Sequence, residues 1–561
     1  MRPLVRAVIA FSPTFPSALA RPSLRRVPTR VGVARALALL SILTAPLTPG
    51  ATPAAGQSFP SGDPVIQAIW EEGVERSQVY ELGQVMMDSI GPRLTGSPAM
   101  AGANDWALAK FAEWGLEAYK EQYGTWRGWE RGISHIDLMA PRVRTLEGMA
   151  AAWSPATDGP VEAEVVILPD AGSPGAFEAS LSEVRGKFVL ISRPEPSCRP
   201  HDNLEWFARP ETTARMAAER ERAIAEWGER VGNTGFDARA LPEALNTAGP
   251  AGIIRSQWSE GWGVNKIFGT RAQRAPVLDL SCEAYGLLYR LAENDQGPVL
   301  RVDAQARFLG EVPVFNAFAV IPGSAEPEEY VILGGHYDSW DGSDGALDNG
   351  TGAVAVMEAM RILGSAVPNP RRTIIGALWN GEEQGLNGSR AFVEDNPGIL
   401  ERTHTVFNID HGNGPVTFIP MQGFAGAAGR FGEWLAQIPS ELSDLVTLEI
   451  PGMPESGGTD HASFLCAGVP AFSFHVGAGR SEMSIADNRW DTSTYTWHTN
   501  RDSFDKIIFE DLRDDAVMTA LLAYLASEDP ETMPRDRRTM PEGTEWPECR
   551  PPARSSGDSS R

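Results

Sequence analysis

Beyond residue 46 the chain never approaches the roughly 20 consecutive apolar residues that a membrane-spanning helix needs, and the apolar run at 36–46 is itself too short to span comfortably. Helical membrane architecture is therefore not expected. Cysteine is scarce: Cys198, Cys282, Cys466 and Cys549 are the whole complement, and none stands in C-x-x-C spacing. That excludes zinc knuckles and thioredoxin-like redox chemistry. Basic residues are outnumbered, 49 Lys and Arg against 73 Asp and Glu, and the formal net charge is −24. A surface so acidic on average repels nucleic acid and anionic membrane, and neither is expected as a partner. Internal repeats are also lacking.

What remains is the composition of a soluble globular protein, 42% hydrophobic and 22% charged, in a chain of 561 residues. That length exceeds one ordinary core, so two or three units are expected. At the N-terminus, Arg2, Arg6, Arg21, Arg25, Arg26, Arg30 and Arg35 precede the apolar run, and small residues follow up to Gln57. Residues 1–57 read as a secretory signal cleaved near Ala55 or Gly56, which predicts a secreted or periplasmic protein. In an oxidising compartment Cys198 and Cys282 are one candidate pair; four separate thiols, with Cys466 buried, are the other reading.

Residues 58–147 are expected to form the N-terminal part of the main domain, and 61–140 look helical, with amphipathic patterns at 65–90 and 103–114 joined by the turn-rich phrase GPRLTGSPAM. Residues 148–307 change character: short β-like runs at 161–168, 187–192, 252–254 and 277–280 alternate with Gly/Pro turns, and a charged helical stretch at 211–229 interrupts them. This predicts a β-rich module lodged inside another domain. Residues 308–530 repeat strand, loop and helix, the signature of a mostly parallel α/β sheet sandwiched by helices. The Pro/Arg/Ser-rich residues 531–561 read as a disordered tail.

Functional groups in such sheets collect at the carboxyl ends of strands, and the chemistry-bearing residues here fall at such places. His336 and Asp338 follow the apolar run 330–333 in GGHYDSWDGSDGALDNG. Asp338, two residues on and on the same side of an extended chain, is expected to accept the imidazole's second N–H and fix its tautomer. Asp348 stands where the chain turns into a helix; alone it would be an N-cap, but beside His336 it is a candidate to bridge two metals. Glu382 and Glu383 follow the apolar run 373–379, and adjacent side chains on a turn diverge, so one can bind metal while the other faces the attacking water. Asp410 ends VFNID, with His411 read as a neighbour, and His498 lies in a polar loop where Asp502 is expected to orient it. Such a mixed His/carboxylate set with open positions suits zinc, with manganese or cobalt as substitutes. Water activated by metal, with Glu382 taking its proton, points to hydrolysis of peptide bonds.

In order and context these residues resemble the di-zinc exopeptidases of the aminopeptidase and glutamate carboxypeptidase type, over most of residues 63–527 and including GGTDHASFLCAGVP at 457–470. Trp340 and the phrase EEQG are most similar to the plasma glutamate carboxypeptidase branch of that family. The resemblance implies a phosphorylase/hydrolase-like core with a protease-associated insert, and two zinc ions per chain. It implies that His336 and Asp410 hold one, Glu383 and His498 the other, with Asp348 bridging, Glu382 as general base and Asp338 beside them. It also implies short peptides as substrates, a homodimer, and a cis bond between Asp348 and Asn349. One departure stands out: many relatives carry Tyr before the late His, where this chain has Trp497, so Tyr495, His461 or His475 is expected to take over oxyanion stabilisation. Two other readings are a peptidase-like receptor without catalysis and a single-zinc glutaminyl cyclase; retention of the full ligand set argues against both.

Overall fold

The computed structural model describes residues 60–410, 412, 414–477 and 495–558, so the expected signal segment and His411 lie outside the described residues. From Gln57 onward the chain forms one compact mixed α/β unit. A continuous sheet order links its middle segment to the strands that follow it. At its centre the strands Arg372–Trp379, Glu326–His336, Thr403–Ile409 and Ala471–Val476 run parallel, with Trp379 level with His336 and Asn408 level with Gly334. Their carboxyl ends therefore open at one edge. All eight residues of Arg372–Trp379 and all seven of Thr403–Ile409 are buried, as strands covered on both faces must be.

Helix Thr351–Ala366 is apolar almost all round and buried from Thr351 to Leu363, because it packs against both the sheet and the closing helix Phe509–Glu528. That closing helix is itself buried along its second half, and it buries an acid, Asp515, whose Oδ1 has no hydrogen-bond partner among the described residues. Burial, reinforced by the neighbouring Asp514 charge, pushes Asp515 up to about 8. The native chain thus holds a proton that the unfolded chain releases near its usual pKa of about 4, so stability falls as pH rises from there towards 8. Asp515→Asn should stabilise the fold at pH 8 by at least about 1 kcal/mol and leave it unchanged near pH 4; thermal melts at the two pH values check this.

Two expectations are corrected. Residues 61–140 are helical only as far as Glu113: helices Pro64–Glu75, Val79–Gln84 and Pro98–Glu113 are followed by a 24-residue strand, Glu117–Ala140. It pairs antiparallel with Val299–Ile321, with bulges near Gly124 and Gly128. Its partner lies far along the chain, beyond the reach of local periodicity. Residues 531–561 are not a loose tail over their described part. Cys549 is bonded to Cys466, which is half-buried, Trp546 donates its indole N–H to the Leu465 carbonyl at 2.9 Å, and Arg554 pairs with Glu394 and Asp395. A few anchors outweigh a composition that reads as solvated.

The middle segment is α/β. Strands Val161–Ile167, Phe188–Leu190, Gly252–Arg255 and Val277–Leu280 run parallel, helix Pro210–Gly232 covers the charged stretch, and Cys198 is bonded to Cys282. Four separate thiols are thereby excluded. Among the described residues no helix is long and apolar enough to cross a membrane.

Candidate metal centre

The parallel strands deliver His336 directly, Glu382 and Glu383 by the turn after Trp379, and Asp410 one residue past Ile409. His336 Nδ1 lies 2.9 Å from the backbone carbonyl of Asp338. A carbonyl only accepts, so Nδ1 carries the proton and Nε2 is left to face the centre. Nε2 lies 3.1 Å from Asp348 Oδ1 and 3.3 Å from Asp410 Oδ1. On the other side, His498 Nε2 lies 3.1 Å from Asp348 Oδ2 and 2.9 Å from Glu383 Oε2. Asp348 therefore turns one oxygen to each group.

The loop that carries Asp348 is held from three directions. Asp502 accepts the N–H groups of Leu347 and Asp348 at 2.7 and 3.1 Å. Asn349, across a cis bond from Asp348, donates its side-chain amide to the Ile409 carbonyl at 2.8 Å. Arg93, wholly buried, donates to the carbonyls of Tyr337, Gly91, Asp344 and Gly345. His498 sits at φ +52°, a left-handed conformation, with its ring stacked on Trp497 at 3.9 Å and against Phe268 at 5.3 Å. Its carbonyl accepts the Ile267 N–H at 2.8 Å, so the middle segment helps to set the ring.

Electrostatically the centre is a crowd of buried acids around two imidazoles. Burial pushes Glu383 and Asp460 each up to about 7, and drives Glu382 well above the usual carboxylate range, with Asp410 and Glu383 adding to its rise against the pull of His336. Asp348 goes the other way: burial opposes its charge, but the hydrogen bonds from His336 and His498 hold it well below its ordinary value. His498 is raised to about 10, burial being overcome by Glu383 and Asp348. Buried charges of one sign are costly unless paired or bound to a cation. Two sets of ligand atoms suit one: His336, Asp348 and Asp410, and Asp348, Glu383 and His498, with the atoms of each set within 4.8 Å of one another.

The structure thus brings together His336, Asp348, Glu383, Asp410 and His498, with Glu382 on the same turn. Two helper assignments are corrected. The Asp338 carboxylate does not fix the His336 tautomer: its nearer oxygen is 3.8 Å from Nδ1. It accepts instead the backbone N–H groups of Glu382 and Glu383 at 3.2 and 3.3 Å and the Thr95 hydroxyl at 3.2 Å, tying the two strand ends together. Asp502 holds the Asp348 loop rather than His498. Of the expected oxyanion groups, His461 is engaged by Glu455 and Gln422, Tyr495 packs on Gly261, and His475 lies beside Phe418.

Sequence reading missed Arg93, Thr95 and Lys266. The first two lie in GPRLTGSPAM, whose turn chemistry was visible although its target was not. Lys266 comes from the middle segment; its ammonium lies 4.5 Å from the Trp497 ring and donates to the Trp497 carbonyl. Burial pulls it down to about 8, against the field of Asp348.

Residues 316–525 match the family model described as Peptidase family M28. Carboxypeptidase Q of Rattus norvegicus is 25% identical over 469 residues, covering 82% of this chain and 88% of that protein. Among solved structures, a peptidase M28 precursor from Shewanella amazonensis SB2B shares the fold with a TM-score of 0.59 at 22% identity, over 85% of this chain and 98% of its own. A zinc aminopeptidase from Bacillus subtilis aligns with a TM-score of 0.50 at 19% identity, over 80% and 94%.

Proposed function

We propose that this chain, whose residues 316–525 match the model of Peptidase family M28, is a co-catalytic metallo-exopeptidase of short peptides, holding two zinc ions about Asp348. The observation that carries this reading is the division of the Asp348 carboxylate, one oxygen facing His336 and Asp410 and the other facing His498 and Glu383. Ligand chemistry supports zinc: two imidazoles and three carboxylates are the donors zinc accepts, with positions left open. A bound zinc pair supplies Lewis acidity and lowers the pKa of water.

The chain's own residues do the rest. Glu382 takes the proton of the water that attacks the peptide carbonyl and returns it to the leaving amine nitrogen. Asp338 keeps Glu382 and Glu383 in register with His336 through their backbone N–H groups. Phe268, Trp340 and Trp497 wall the His498 side with aromatic surface. The middle segment serves as a protease-associated module that shapes this wall, and the two disulfides favour an oxidising, extracytoplasmic compartment.

Metal analysis and a dipeptide panel test the reading together. The purified protein should carry two zinc equivalents per chain, and a chelator should abolish dipeptide hydrolysis until zinc is restored. Protein that folds with no stoichiometric metal would favour the receptor-like reading instead.

A further inference from the structure

The middle segment has a cavity of its own, about 380 Å³ and partly open to solvent, that shares no residue with the metal centre. That is the size of a small-molecule site, roughly 300–1,000 Å³. It lies at the carboxyl ends of the segment's parallel strands: Ile191, Ser192 and Arg193 directly follow Phe188–Leu190, Ser256 and Gln257 directly follow Gly252–Arg255, and Cys282 stands just past Val277–Leu280. Open parallel sheets take their ligands at that edge. Helix Pro210–Gly232 forms the facing wall.

The two walls differ in chemistry. The helix contributes apolar residues alone, Ile224, Trp227, Gly228 and Val231, whereas the segments leaving the strands contribute Arg193, Glu195 and Gln257. The Glu195 side chain is only 8% exposed: its Oε1 is paired with Arg193 Nη2 at 2.5 Å, and its Oε2 lies 3.8 Å from Arg220 Nε, too far for a hydrogen bond. Glu195 Oε2 and Arg193 Nε are both buried with no hydrogen-bond partner among the described residues. Buried polar atoms are seldom left so unless something else completes them. Because the guanidinium and the carboxylate neutralise each other, this wall suits a neutral group that both donates and accepts, as the Gln257 amide itself can. A peptide amide is such a group, and an apolar side chain beside it would meet the helix wall.

We propose that this cavity is a second peptide-binding site, separate from the metal centre, that takes one apolar residue of a peptide together with its flanking amide groups. Ile224, Trp227 and Val231 hold the side chain, and Glu195 Oε2, Arg193 Nε and Gln257 meet the amides. Since none of these residues belongs to the metal centre, the site stands or falls independently of the peptidase reading. Gly228 is the place to block it. A Cβ there would meet nothing within 4 Å, so Gly228→Leu adds bulk at the cavity wall without displacing a neighbour, and Leu favours a helix more than Gly does.

Calorimetry on the full-length protein, with zinc supplied, tests this with N-acetyl-leucinamide and N-acetylglycinamide. Both are blocked at each end, so an exopeptidase leaves them intact, and they differ only in the side chain. The leucine ligand should bind with one equivalent per chain and about 10- to 100-fold tighter than the glycine ligand, the worth of burying that side chain. Gly228→Leu should weaken its binding at least about 10-fold, and Gln257→Ala about 5-fold, the loss of one hydrogen bond. Equal binding of the two ligands to wild type would overturn the site. So would leucine-ligand binding that survives unchanged in both variants, because the ligand would then sit elsewhere, the metal centre included. If Gly228→Leu does not fold, Gln257→Ala carries the comparison alone, and unchanged affinity there overturns the site. Dipeptide hydrolysis followed on the same preparations reports on the peptidase reading separately.

Discussion

Glu382→Gln protein will keep its full metal complement and hydrolyse dipeptides about 10²- to 10⁴-fold more slowly than wild type, the usual worth of a general base. The geometry separates the two roles. Glu382 belongs to neither set of ligand atoms, whereas its neighbour Glu383 lies 2.9 Å from His498. Gln preserves the shape and the backbone N–H that donates to Asp338, but its amide cannot accept the proton of the attacking water. It also removes one negative charge from a crowded centre, so the fold should be no less stable. Turnover numbers and metal content measured on the same preparation decide the matter. Wild-type turnover would remove Glu382 from the mechanism, and loss of metal would make it a ligand.

Arg93→Met should cost several kcal/mol of stability and most of the metal affinity, although Arg93 touches none of the proposed ligands. Its guanidinium lies 2.7–3.2 Å from four backbone carbonyls, three of them in the stretch from Tyr337 to Gly345. Its own N–H donates to Ser339, and Ser339 donates back to its carbonyl. Each buried carbonyl left without a donor costs about 1–3 kcal/mol, and the loop so loosened is the one that presents Asp348. Lys should not rescue it, because one ammonium does not reproduce the planar fork that reaches four acceptors. Unfolding midpoints and zinc titration of Arg93→Met and Arg93→Lys check this. Unaltered zinc affinity in both would mean that Asp502 and Asn349 suffice to hold the loop.

Much of the centre was legible because its signals are local. An apolar run followed within a few residues by His or a carboxylate marks a strand end, and this pattern located His336, Glu382, Glu383 and Asp410. The same locality explains the errors. Spacing of two residues pairs Asp338 with His336, but its carboxylate is claimed by backbone N–H groups at Glu382 and Glu383, which only the parallel alignment of two strands brings near. Proximity in sequence assigns Asp502 to His498, four residues away, whereas its carboxylate binds the N–H groups of Leu347 and Asp348.

By itself, then, the sequence determined the α/β core, the order of the candidate ligands and the kind of chemistry they suit, since apolar periodicity and side-chain type act within a few residues. Tertiary structure alone decided that Glu117–Ala140 is a strand, that Asp348 divides its oxygens between two histidines, and that the segments leaving Phe188–Leu190 and Gly252–Arg255 share a cavity with helix Pro210–Gly232. Each of those depends on which distant segments pair, and a hydrogen bond or a charge acts through space without regard to separation along the chain.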